Sequence, residues 1–401
     1  MFICALPSFS QRQVEAGLKE QVHETILPNG LKVIILENHK TPVATLQVWY
    51  RVGSRNETWG KTGTSHMLEH MMFKGTKKTS GETFTRLIEE AGGNNNAFTS
   101  ADFTAYFENM NSKEILAAID LEADRMQNLL LRQDGFETER MVVMEERRLR
   151  TEDDPRAYLH EQLLAAAFLI QPYHWPVIGW MGDLKRLTFD DLTAHYRTYY
   201  NPANAFVILA GNVKKEEALS RIRRAFGVIP GGPRPDQKKA LEEPQAGERR
   251  TIVRREAQLP FMLIGYHVPN LPSPDSYALE VVAALLARGK SSRLYERLVR
   301  KGLVLMIDAE NDFLSRDPGL FLVSAQPGPG RDAVDIERVI DGEIRRLQEE
   351  PVTQQDLEKA KNQLEAAFIL GQDSLFYQAM VLAQHEIVSD WRRVDMYVPS
   401  I

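Results

Sequence analysis

One cysteine in 401 residues, Cys4, excludes an intrachain disulfide and any Cys-rich metal site, so a bound metal must draw its ligands from His and carboxylates. Long hydrophobic runs are missing as well. Nowhere do the roughly 18 uninterrupted apolar residues of a membrane span occur, and no span is expected. Basic charge is not in excess either: 49 Lys+Arg stand against 55 Asp+Glu, a formal charge of −6. Such a chain has no overall field for a mainly electrostatic nucleic-acid partner, and none is expected. Residues 1–8 (MFICALPS) have the apolar character of a secretory h-region remnant, without a basic n-region or a clear small-residue cleavage site. What is present, 43% hydrophobic and 26% charged residues, describes an ordinary globular chain of about two or three domains.

Residues 23–36 (HETILPNGLKVIIL) read as a hairpin about Asn29-Gly30, and residues 43–52 (VATLQVWYRV) as a third strand, alternating and rich in β-branched and aromatic residues. The period turns helical over 63–74, with Gly75 as the stop. Further helices are expected at 80–91, 113–131, 136–150 and 155–168, and a strand at 204–210 (NAFVILA). Over 231–250 Pro, Gly and charge displace apolar residues, which marks an interdomain linker. Beyond it the order recurs in outline: strand 261–268, helix 276–287, a run at 291–301, strand 319–325 and long helices. The fold class is α+β, as two structurally related halves or as two domains of coincidentally similar order. The expected division is an N-terminal extension at 1–24, a first half at 25–230, the linker, and a second half at 251–401.

The sharpest local feature is His66-Met67-Leu68-Glu69-His70, an H-x-x-E-H string. On a helix, positions four apart share a face, so His66 and His70 can direct imidazole nitrogens at one ion, with Glu69 beside them to take a proton from a metal-bound water. This inverted order occurs among zinc-peptidase signatures. The plain alternative is a solvated helix with i,i+4 contacts. Met67, Leu68, Met71, Met72 and Phe73 argue for burial instead, where three polar side chains without partners would be costly. A third ligand is needed, and residues 136–150 (FETERMVVMEERRLR) offer Glu137, Glu139, Glu145 and Glu146. Glu139 and Glu146 lie two helical turns apart on one face, whereas Glu145 is rotated by about 100° from Glu146. One of the pair can ligate while the other orients a ligating His.

These residues resemble the pitrilysin/insulinase family of inverted-motif zinc metallopeptidases, in particular a short bacterial branch similar to the beta subunit of the mitochondrial processing peptidase. The resemblance implies one Zn2+ per chain held by His66, His70 and Glu146, which follows His70 by 146 − 70 = 76 positions. It assigns Glu69 as general base and Glu139 as the supporting carboxylate. Residues 92–107 (GGNNNAFTSADFTAYF) correspond to an exposed edge strand onto which a peptide substrate adds, placing Asn96, Ala97 and Phe98 at the substrate.

The same resemblance implies two halves, each a mainly antiparallel sheet packed with helices, facing each other across a cavity. The activity implied is hydrolysis of unfolded peptides. The second half carries the family's LLARGKSSRLYERLVRKGL stretch at 285–303, with Ala287-Arg288 where relatives carry more glycine. It has only His267 and His385 and no H-x-x-E-H, so its expected task is to wall the chamber with basic or aromatic residues, relatives using an Arg/Tyr pair. Relatives continue beyond the position of Ile401 with a helix and a strand, so the expectation is either a truncated second half or last elements supplied from elsewhere. A homodimer or a heterodimer with a related subunit would complete the chamber, and a non-catalytic or scaffold subunit of a two-chain peptidase is the alternative function. Cytoplasm and bacterial periplasm both suit a chain with one thiol.

Overall fold

The computed structural model describes residues 21–237 and 241–401; Cys4, the run 1–8 and the rest of the chain up to residue 20 lie outside them. The described residues open with β1 (Val22–Ile26), β2 (Lys32–Glu37) and β3 (Val43–Tyr50). Residues 22–24, assigned above to an N-terminal extension, are instead the start of β1. Gly30 takes the positive φ (91°) that the hairpin turn requires, and Asn29 donates its amide to the carbonyls of Phe226 (2.8 Å) and Ile229 (2.9 Å). Then come α1 (Thr64–Met72), α2 (Gly81–Glu90), β4 (Asn94–Thr99), β5 (Thr104–Asn111), α3 (Ile115–Asn128), α4 (Gln133–Arg147), α5 (Pro155–Ala167), α6 (Phe189–Tyr199), β6 (Ala205–Gly211) and α7 (Lys215–Phe226). The six strands form one sheet in the order β1-β2-β6-β3-β5-β4, with β2 and β6 parallel and every other pairing antiparallel.

Alternate side chains of this sheet enter different cores. Val33, Ile35, Leu46, Val48, Val207 and Leu209 pack with Met67, Leu68 and Met71 of α1, Ile119 of α3 and Ile222 of α7. Ile34, Leu36, Trp49, Phe206 and Ile208 face the other way. Coverage on both faces is why 205–210 is a continuous apolar run rather than an alternating one.

The second half contains β7 (Met262–Val268), α8 (Asp275–Ala287), β8 (Val304–Asn311), β9 (Gly319–Pro327), α9 (Ala333–Glu349), α10 (Gln354–Gly371) and α11 (Leu375–Val388). Its antiparallel sheet has the order β7-β9-β8. α8 and α9 cover it through Leu286, Ile336 and Ile340. α11 does not stay with that sheet. Its Ala379, Leu382, Ala383 and Ile387 close the second core of the first half, and Glu386 accepts from Arg51 while pairing with Lys32 (2.8 Å). The protein is thus α+β, two sheets packed with helices across a cavity. Among the described residues no single helix is long and apolar enough to cross a membrane.

Several expected elements changed on folding. Residues 92–107, expected from the resemblance to form an edge strand, hold a hairpin: β4 and β5 flank a turn at 100–103, where Ser100 N donates to Phe103 O (2.8 Å). Asp102 and Ser100 break the run because their side chains satisfy the turn backbone or leave the sheet. The expected helix 136–150 begins at Gln133 and gives way after Arg147 to a wide π-turn over Arg148–Glu152. The run 291–301 holds only a short π-turn, Tyr295–Val299. The described part of the stretch between Gly227 and Phe261 has neither helix nor strand, so the connection is longer than 231–250. It is also anchored, since Glu242 accepts the backbone N–H groups of Leu169, Ile170 and Gln171 (2.7, 2.9 and 2.9 Å).

Candidate metal centre and substrate cleft

α1 is set by its apolar side and by a borrowed cap. Met67, Leu68, Met71 and Met72 are at most 1% exposed, which turns His66, Glu69 and His70 toward the cavity. Gly63 precedes the helix at φ 86°, and a Cβ there would stand 2.5 Å from the carbonyl oxygen of Ile178. No N-cap side chain of its own is present. Instead the buried Glu57 carboxylate accepts from Gly63 N (2.7 Å) and Ser65 N (2.6 Å), satisfying two of the helix's free donors. Burial pushes Glu57 up to about 8, against the pull of these two N–H groups.

α4 crosses beside α1 and brings its carboxylates to the histidines. Glu146 Oε2 lies 3.2 Å from His70 Nε2 and 3.7 Å from His66 Nε2. Glu139 Oε1 lies 3.0 Å from His70 Nδ1 and thereby fixes the ring with Nε2 toward Glu146. Lys74 pairs with the other oxygen of Glu139, and Arg150, carried by the π-turn, with the other oxygen of Glu146 (2.9 Å). Glu145 and Glu137 point away and are paired with Arg148 and Arg140. Face sharing two turns apart therefore separates the four glutamates as the helical period requires.

Among the described residues, His66, His70 and Glu146 form the one group of three whose donor atoms all lie within 4.8 Å. The set fits zinc: two imidazole nitrogens and a carboxylate oxygen, with a fourth direction open to the cavity. Glu146 Oε2 is buried without an aligned hydrogen-bond donor, a cost that a cation removes. Electrostatics agree with convergence on a charge. Burial and the adjacent His70 hold His66 low. For His70 burial is outweighed by the Glu139 and Glu146 carboxylates, which lift it above the ordinary imidazole range. Glu146 is held low, first by its contact with His70. Glu69 is raised by burial, with the Thr99 hydroxyl, which donates to its Oε2, opposing.

The cavity, about 1340 Å³, runs from this cluster along β4 to the second half. β4 is the last strand of its sheet, so its outer edge has no strand partner. Asn96, Ala97 and Phe98 all line the cavity. Phe98 is also packed edge-on against Trp49 (centroids 5.6 Å apart), so its ring belongs partly to the core. The wall opposite comprises Asp312, Leu314, Ser315, Leu320 and Leu322. The expectation of basic or aromatic second-half residues there fails among the described residues: no second-half Arg or Tyr lines the cavity. Arg316 is turned away by its side-chain bond to Gln237 (2.7 Å). Sequence reasoning also missed Glu57, Lys74, Thr99 and Arg150, whose only sequence signal is nearness to a motif.

Comparison with known proteins places this geometry. The family model described as "Insulinase (Peptidase family M16)" matches residues 32–179, and that described as "Peptidase M16 inactive domain" matches residues 186–364. The chain is 34% identical over 384 residues to the zinc protease PqqE of Helicobacter pylori, covering 94% of this chain and 86% of that protein. It is 29% identical over 361 residues to a probable mitochondrial-processing peptidase subunit beta of Arabidopsis thaliana, covering 87% of this chain and 67% of that one. The crystal structure of a protease from Helicobacter pylori superposes with a TM-score of 0.90 at 32% identity, over 94% of this chain and 92% of that one. The chain belongs to the insulinase family of peptidases, M16.

Proposed function

We propose that this protein is a zinc-dependent endopeptidase acting on unfolded peptides. The observation that carries the reading is the meeting of His66, His70 and Glu146 beside the unpaired edge of β4, with Glu69 on the same stripe of α1. His66, His70 and Glu146 hold the ion, and Glu139 orients His70 by accepting from Nδ1. When bound, zinc supplies an acidified water and Lewis-acid stabilisation of the scissile carbonyl. Glu69 takes the proton of the attacking water and delivers it to the leaving amine. The peptide lies along β4 at Asn96, Ala97 and Phe98, pairing through main-chain groups, which makes recognition weakly sequence-specific. A related second chain completes the chamber, consistent with the subunit naming of the Arabidopsis relative and with exposed Val142, which lines the cavity.

The test is metal content together with hydrolysis of an unstructured peptide, before and after chelation. Glu69→Gln should keep its zinc and lose turnover by about 10²- to 10⁴-fold. Near-wild-type hydrolysis by that variant, or hydrolysis that survives chelation, refutes the mechanism. Zinc-loaded protein that is inert alone and with a related partner would favour the scaffold alternative.

A further inference from the structure

The loop between β8 and β9 enters the first half at a buried cluster that the proposed chemistry does not use. Asp102, in the turn between β4 and β5, is ion-paired with Arg55 (Nε to Oδ1 3.2 Å) and accepts from the Tyr173 hydroxyl (2.9 and 2.8 Å to its two oxygens) and Arg316 N (3.0 Å). Arg55 also pairs with Asp317, and the backbone N–H groups of Arg316 and Asp317 donate to the Tyr173 oxygen (3.1 and 3.2 Å). The Arg55, Asp102 and Asp317 side chains are only 3%, 7% and 5% exposed, so their geometry is not relaxed by solvent. The turn is held from its other side as well. Ser54 N donates to Ser100 O (3.1 Å) and Arg55 N to Ala101 O (3.0 Å), and Gly53 approaches so closely that a Cβ would stand 2.3 Å from Ser100 O. One residue before this turn, Thr99 donates its hydroxyl to Glu69.

We propose that the second half sets the position of Glu69 through Asp102, a positioning residue, with the turn 100–103 and Thr99 as the connecting links. A second half without metal ligands thereby acts on the reacting side chain: Arg316 and Asp317 fix Asp102, Asp102 fixes the end of β4, and Thr99 at that end holds the Glu69 carboxylate. Loosening the far end of this chain lets Thr99 move and leaves Glu69 in more than one orientation, without touching His66, His70 or Glu146. The kinetic part rests on the zinc-peptidase reading; the mechanical part does not.

The experiment uses the full-length zinc-loaded protein with Asp102→Asn, Thr99→Val and their combination, measuring zinc content, kcat, KM and amide hydrogen exchange over β4 and the turn. Each single change should lower kcat by about tenfold with KM within about twofold. The double variant should be no slower than the slower single, because both act through one link. Asp102→Asn should also speed exchange at 94–103. Multiplied losses in the double variant, a loss carried by KM, or unchanged exchange overturns the proposal. If Asp102→Asn does not fold, Tyr173→Phe removes the hydroxyl that joins Asp102 to the second-half backbone and must show the same kcat loss and faster exchange. If the wild type holds zinc and hydrolyses nothing, alone or with a related partner, the functional reading fails while exchange still decides the link: faster exchange in the Asp102 or Tyr173 variant supports it, unchanged exchange overturns it.

Discussion

Removing Glu139 gives a graded test of the proposed metal site. Its Oε1 accepts from His70 Nδ1 at 3.0 Å, and its Oε2 is paired with Lys74. Both partners are largely shielded, with side chains 21% (His70) and 10% (Glu139) exposed. A hydrogen bond to a charged group in such a place contributes about 1.5–3 kcal/mol. Without it, the His70 ring must be fixed at the moment of metal binding, and Nε2 becomes a poorer donor. Orienting partners of this kind are worth about 10- to 100-fold in metal affinity. Glu139→Gln keeps an acceptor oxygen but loses the charge, and should weaken zinc about tenfold; Glu139→Ala loses both and should approach a hundredfold. Titration against a chelating zinc indicator gives the dissociation constants directly, and thermal melting of the metal-free forms separates loss of fold from loss of ligand geometry. Equal affinity in wild type and Glu139→Ala would refute the assignment, since the 3.0 Å contact would then be incidental to the metal.

Two further outcomes follow from the supports of α1. Glu57→Ala leaves the N–H groups of Gly63 and Ser65 without their acceptor at the start of the helix, and should cost about 2 kcal/mol in chemical denaturation; an unchanged midpoint would show that the cap is dispensable. His195, half-buried against Ser65 with Oγ 3.1 Å from Nε2, is pushed down to about 3 by desolvation. Its folded value is below the unfolded one of about 6.5, so the unfolded state binds the proton first as pH falls. Stability from this group is complete above about pH 6.5 and declines steadily from there toward pH 3. His195→Gln should flatten the fall between pH 7 and pH 5, measured by denaturant unfolding at both, and an identical slope in the variant would refute it.

Local periodicity made much of the site legible. His66 and His70 at i and i+4, and Glu139 and Glu146 at i and i+7, meet because one helix stripe faces one way whatever the tertiary context. The edge strand over residues 92–107 came from the family resemblance rather than from local pattern, and neither announced its division into β4 and β5. The turn at 100–103 depends on Ser54, Arg55 and Tyr173, whose nearness to it no local pattern announces.

By itself the sequence determined which residues could form an imidazole-carboxylate metal site, because a single cysteine left no other donors and helical spacing put the candidates on shared faces. It determined the α+β character for the same reason: period and turn chemistry act over a few residues. The tertiary structure alone decided which of those residues are held and by what. Arg55 meets Asp317 across 262 positions, and Arg51 meets Glu386 across 335. α11 crosses from the second half to cover the first sheet because Ile34, Trp49, Phe206 and Ile208 leave an apolar face that burial must close. Such pairings are selected by the free energy of the whole packed chain rather than by any local segment, and they decide whether a legible motif becomes a positioned site.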